Sequence, residues 1–146
     1  MSPGSKTLRV VLDTNVLFSA MALPKNSPPT HVFNLVRAGK IRFFVSPFIL
    51  NELEKNLGQK AGWDNERLQV FRKKLRNFIE IIETTSRVDV IKKAQADNRI
   101  LECALDAKAD VLVTGNMKDI RPSGRYQGIE ILTPREFLNK YFPEIA

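Results

Sequence analysis

Five short runs rich in β-branched and aromatic residues, at residues 8–12, 42–45, 78–82, 111–114 and 129–132, recur along this chain with a helix-length stretch between each and the next. Strands spaced in this way pair most readily in parallel, with each connection crossing back over the sheet as a helix. The predicted class is α/β, with a central, mostly parallel sheet of about five strands. At 146 residues the chain has the length of one domain able to bury roughly two-thirds of its unfolded surface, so residues 1–146 are read as a single domain.

The stretches between the runs have helical spacing. In "SPFILNELEKNL", Ser46 can cap, Pro47 suits the first helical position, and Ile49, Leu53 and Leu57 recur at i, i+4 and i+8 as a buried stripe. In "NERLQVFRKKLRNF", Leu68, Phe71, Leu75 and Phe78 share one face, with Arg72, Lys73, Lys74 and Arg76 elsewhere. "ADNRILECALDAKA" sets Ile100, Leu101, Ala104 and Leu105 on an apolar side, and "TPREFL" starts a last helix with Thr133 as cap and Pro134 behind it. The Pro- and Ser-containing "LPKNSPPT" reads as a loop between two helices.

No apolar run approaches the roughly 18 residues of a spanning helix, and "MSPGSKTLRV" carries no apolar signal segment. A soluble cytoplasmic protein with no membrane partner is expected. Cys103 is alone, which excludes an intrachain disulfide, and its apolar neighbours in "ILECAL" point to core packing rather than to a reactive thiol. His31, without a second imidazole or a thiolate, is expected on a surface or half-buried helix position. A net charge of +7 favours a polyanion as partner.

Chemistry concentrates in the acids. "LRVVLDTNVLFSA" ends an apolar run abruptly at Asp13, followed by Thr14 and Asn15, so Asp13 is placed at the carboxyl end of the first strand. A second polar cluster, Asn116 and Asp119 in "VLVTGNMKDI", follows the fourth run in the same way. In open parallel sheets ligands bind at the carboxyl ends of strands, where strand order reverses. Glu52, placed after Phe48 and Ile49, and Asp97, three and four residues before Ile100 and Leu101, turn toward the core side of their helices, with Glu54 at the other border of its stripe. Carboxylates converging in one desolvated crevice need a compensating cation, and oxygen-only ligands suit Mg²⁺ or Mn²⁺.

These residues resemble the PIN-domain family, metal-dependent nucleases that include the VapC-like toxins of toxin–antitoxin pairs. The resemblance runs from "VVLDTNVLFSA" through "VSPFILNELEKNL" and "ADNRILECALDAKADVLVTGNMKDI" to "IEILTPREFL". It implies a three-layer α/β/α sandwich and a ribonuclease acting on single-stranded or structured RNA. The implied metal-binding and catalytic acids are Asp13, Glu52, Asp97 and Asp119, with Asn15, Thr114 and Asn116 as supporting polar groups. Some relatives carry an acid directly after "TG", where this chain has Asn116; Asp119 matches the "T-x-N-x-x-D" form. A homodimer and an antitoxin partner are further implications. Positive side chains, among them Arg72, Lys73, Lys74, Lys92, Lys93 and Arg99, are expected to attract the RNA backbone, while Phe18, Phe43 and Phe44 are expected to pack in the core rather than stack on bases.

The rival from another class is a non-catalytic RNA- or protein-binding module with a degenerate acidic site. A phospho-acceptor domain needs an extra acid pair beside the first strand, and a haloacid-dehalogenase-type phosphatase needs a second Asp where Asn15 stands, so both are disfavoured.

Overall fold

The computed structural model of the chain describes residues 7–22, 26–87, 95–115 and 124–146. In chain order the elements are β1 (Arg9–Leu12), α1 (Thr14–Ala22), α2 (Pro28–Arg37), β2 (Arg42–Val45), α3 (Pro47–Ala61), α4 (Asn65–Leu75), β3 (Ile79–Ile81), α5 (Gln95–Asp106), β4 (Val111–Val113), β5 (Arg125–Tyr126), β6 (Ile129–Leu132) and α6 (Pro134–Tyr141). The sheet has the order β3-β2-β1-β4-β6-β5. All neighbours are parallel except β5, which pairs antiparallel with β6.

Consecutive residues of β1, β2 and β4 are buried: Val10, Val11 and Leu12, then Phe43, Phe44 and Val45, then Val111, Leu112 and Val113. Successive side chains of a strand point to opposite faces, so helices cover both faces of this sheet, and the fold is the expected three-layer α/β sandwich. Phe43 and Phe44 are core residues, and Phe18 packs half-buried against the same core.

The sheet has one strand more than expected. β5 is only two residues long and lacks an apolar run; it is made by a tight turn at Gln127 and Gly128, whose φ angles of 46° and 83° suit the two-residue hairpin that folds β5 onto β6. The run at residues 78–82 yields only Ile79–Ile81, at the sheet edge. α4 stops at Leu75, so Phe78 lies beyond the helix while Leu68 and Phe71 pack half-buried on the core.

Helix caps follow the sequence closely. The Ser46 hydroxyl accepts from the Ile49 N–H at 3.3 Å, and Ile49, Leu53 and Leu57 are fully buried. Thr133 and Glu136 form a reciprocal capping box with Pro134 behind the cap. His31 is half-buried on α2, as expected.

Candidate functional site

Sheet order reverses direction between β1 and β4, which makes their carboxyl ends the switch point of the fold. The register pairs Leu12 with Val113 and Val113 with Leu132. It then continues one residue further, because the Asp13 N–H donates to the Val113 carbonyl at 3.0 Å and the Thr114 N–H to the Leu132 carbonyl at 2.8 Å. Asp13, Thr114 and Thr133 therefore stand abreast at the carboxyl edge, and Ser46 ends β2 beside them.

Three of these residues cap the helix that follows their strand. Ser46 and Thr133 do so with hydroxyls. Asp13 does so with a carboxylate, whose Oδ1 accepts from the Val16 N–H at 2.8 Å. Capping accounts for an aspartate where it is exposed, as Asp64 is at the start of α4, but a buried carboxylate costs more than the neutral caps beside Asp13, which serve as well. The Asp13 side chain is 2 % exposed, and its Oδ2 accepts a short hydrogen bond from the Thr114 hydroxyl. Burial pushes its carboxyl above the ordinary aspartate range, opposed by hydrogen bonds from Thr114 and from the backbone N–H groups of Val16 and Asn15. All three opposing donors are neutral. Oδ1 accepts from the Val16 N–H and Oδ2 from the Thr114 hydroxyl, and a carboxylate has about four acceptor sites in all.

Asp97 is half-buried in the first turn of α5. The far end of α5 is tied to the amino edge of the sheet, where the Ala107 carbonyl accepts from the Arg9 guanidinium at 2.9 and 2.7 Å. Ten helical residues from Ala107 back to Asp97 rise about 15 Å, and four strand residues from Arg9 to Asp13 rise about 13 Å. Asp97 therefore lies at the end of α5 opposite the Arg9 contact. Glu52 lies five residues into α3, half-buried next to Leu53; helical side chains lean toward the N-terminus, which here is the carboxyl edge. Asn15 is exposed beside Asp13. Asn116 and Asp119 lie outside the described residues, as do Lys92 and Lys93.

Among the described residues, no three His, Cys, Asp or Glu side chains assemble into a group that could hold a metal ion. The residues fit a divalent cation in kind: oxygen donors only, the innermost one buried without a cationic partner among the groups that shift its pKa. Cys103 is no candidate, since burial pushes its thiol up to about 12.

Sequence reasoning missed Glu102, 2 % exposed, and Asn98, fully buried, on α5. They are spaced i, i+4, so both lie on one side of the helix. The buried side of α5 is broader than the expected stripe: Leu105 is only half-buried, while Asn98, Glu102 and Cys103 turn inward. An acid set between Leu101 and Cys103 in "ILECAL" was the available signal. Arg99 pairs with Glu102 at 2.8 Å and Arg72 with Glu54. These two arginines, expected to attract RNA, are engaged within the fold, whereas Lys73 and Lys74 are exposed.

A cleft of about 290 Å³ opens next to Asp13, between the first turns of α1, α2 and α6. A larger groove of about 570 Å³ lies away from the acids, between α1, α2 and α4. Among the described residues no helix is long and apolar enough to cross a membrane.

The sequence profile of the PIN domain matches residues 9–118. The uncharacterized protein MJ1680 from Methanocaldococcus jannaschii is 28 % identical over 146 residues, covering 92 % of each chain. Among solved structures, VapBC2 from Rickettsia felis, bound to a DNA fragment from their promoter, superposes with a TM-score of 0.59 at 18 % identity, over 85 % of this chain and 97 % of that one. FitAcB from Neisseria gonorrhoeae superposes with a TM-score of 0.58 at 14 % identity, over 86 % of this chain and 98 % of that one. These two likenesses are of fold. The profile match begins at β1, passes through the acid-bearing helices and ends beyond Thr114, and by it the chain belongs to the PIN domain family, a family of nucleases.

Proposed function

We propose that this protein is a Mg²⁺- or Mn²⁺-dependent endoribonuclease, and that it acts as the toxin of a toxin–antitoxin pair. One observation carries the reading: a buried carboxylate, Asp13, whose donors among the described residues are all neutral, at the switch point of a parallel sheet where hydroxyls serve as caps on either side. Asp13, Glu52, Asp97 and Asp119 are the groups that would hold the cation. When bound, such an ion shields the phosphodiester and lowers the pKa of the attacking water. The chain's own contribution is orientation. Val16 N–H and the Thr114 hydroxyl each hold one Asp13 oxygen, so the carboxylate plane is set before any ligand arrives. Asn15, exposed at the rim, and Asn116 serve as polar groups for substrate or water.

Large apolar side chains at the surface support a protein partner, either an antitoxin or a second copy. Ile81 is 46 % exposed on β3, the edge strand, and Val70 on α4 is 51 % exposed. The fold of VapBC2 and FitAcB, which this chain shares, supports the antitoxin assignment.

The test is Asp13→Asn, assayed for RNA cleavage with Mn²⁺ or Mg²⁺. Cleavage falls to background while circular dichroism is unchanged. Wild-type activity in the variant, or equal cleavage with metal chelated, defeats the proposal.

A second reading, a non-catalytic RNA- or protein-binding module, draws on Asn116 in place of an acid and on the lack of an assembled acidic triad among the described residues. Calorimetric titration separates the two. The nuclease takes up Mn²⁺ in an Asp13-dependent manner; the degenerate module does not.

A further inference from the structure

We infer that the cleft beside Asp13 is a subsite for one nucleotide of a single-stranded polynucleotide, and that Arg135 holds its phosphate. The inference rests on the nuclease reading and names how that site grips its substrate. The cleft spans the carboxyl ends of three adjacent parallel strands: Asn15 follows β1, Gly115 follows β4, and Thr133 to Arg135 follow β6. Asn15 and Ser19 face it together, being spaced i, i+4 on α1. Pro28, Pro29 and Pro134 give it apolar walls.

Among the described residues, Arg135 is the one charged residue lining the cleft, and no acid lines it. It is exposed. Four other arginines are engaged, Arg9 on the Ala107 carbonyl, Arg42 with Glu80, Arg72 with Glu54 and Arg99 with Glu102, while exposed Arg37 and Arg76 line other pockets. Arg135 makes no ion pair or hydrogen bond among the described residues. A planar guanidinium with free donors suits bidentate contact with a phosphate.

Electrostatics explains why a cation is needed at this place. Asp13 carries a buried negative charge when ionised and repels a polyanion approaching the switch point. An arginine on the adjoining wall offsets that repulsion for the neighbouring phosphate, one nucleotide from the scissile bond. The volume, about 290 Å³, is at the small end of ligand pockets, which run from roughly 300 to 1,000 Å³. That space accepts a single splayed nucleotide, with its base against the proline walls, and not a rigid duplex, whose bases stay stacked inside.

The experiment measures binding of a fluorescent single-stranded RNA oligonucleotide by anisotropy over a range of salt, in the Asp13→Asn background where no cleavage occurs. Arg135→Ala weakens binding roughly tenfold and lowers the salt slope by about 0.7, the value of one single-strand phosphate contact. Arg135→Lys recovers part of the affinity and all of the slope. Ser19→Phe, which fills the cleft without altering charge, weakens binding and leaves the slope unchanged. With Asp13 present, the Arg135→Ala loss in cleavage falls in KM rather than in kcat. Unchanged affinity and slope in Arg135→Ala overturn the subsite. If the wild type fails to cleave but the Arg135 and Ser19 effects on binding persist, the nuclease reading fails and the subsite stands; if it cleaves and those effects are missing, the subsite alone falls.

Discussion

At position 13 a hydroxyl would cap α1 adequately, as Ser46 and Thr133 do for their helices, so the buried carboxylate is a stability cost, one that the proposed function accounts for. The sign of its pH dependence follows from its raised pKa. Between the unfolded value of 3.8 and the higher folded value, the folded chain holds a proton that the unfolded chain has released, so stability falls as pH rises through that window. Above the folded pKa the penalty is fully present, and below 3.8 it is absent. Asp13→Asn removes the charge and keeps an oxygen for the Val16 N–H, while the Thr114 hydroxyl can turn to accept from the new amide. Its melting temperature at pH 7 is therefore expected to exceed that of the wild type by roughly 2–5 °C, as a gain of about 1 kcal/mol gives in a domain of this size. The difference shrinks toward pH 3.5. Saturating Mn²⁺, at about 100 times its Kd, raises wild-type stability by about 2.7 kcal/mol and leaves the variant unmoved; scanning calorimetry reads both effects. A wild type more stable than Asp13→Asn at pH 7 would remove the desolvation account.

Strand, cap and helix succeed one another three times at the carboxyl edge, and this repeat positions the site: β1–Asp13–α1, β2–Ser46–α3 and β6–Thr133–α6. The Ser46 and Thr133 caps were legible because Ser and Thr before a helical run, each followed by Pro at the first helical position, name the helix start from local chemistry alone, whereas Asp13 was legible as a strand end and not as a cap. The α3 stripe was legible for a related reason: Ile49, Leu53 and Leu57 follow helical period without interruption, and all are fully buried. Leu53→Ala is expected to cost about 2–5 kcal/mol, read as a shift in urea midpoint with unchanged slope, and to displace Glu52 next to it. Nuclease activity should then fall even at temperatures where the variant is folded. α5 was less legible, because a helix packed on more than one side has no single stripe. β5 was not legible as a strand, since a two-residue strand is made by its turn and its neighbour rather than by its own residues.

For the whole molecule the excess of 23 basic over 16 acidic residues is not a uniform field. Several cations are held in ion pairs or on backbone carbonyls, including Arg9, Arg42, Arg72, Arg99 and Lys140. Exposed Lys73, Lys74 and Arg135 are not among them. RNA binding by the Asp13→Asn variant is expected to weaken linearly in log–log salt plots, with a slope of about 0.7 per phosphate neutralised. Lys73→Glu with Lys74→Glu lowers the slope only if the RNA passes over α4. Arg72→Ala changes it little, because Glu54 already neutralises that charge. A salt-independent affinity would show that the positive balance serves solubility and not the substrate.

By itself the sequence determined the elements whose causes are local: the apolar strands, the caps, the apolar face of α3, and the position of Asp13 at a strand end. Which polar groups meet across the sheet is a different kind of fact. It depends on strand order, since only the placement of β4 next to β1 brings Thr114 onto Asp13 across the sheet. The inward turn of Glu102 and the place of Arg135 beside its cleft were likewise decided by tertiary structure. Burial and charge pairing belong to neighbours distant in the chain, and no local pattern encodes them.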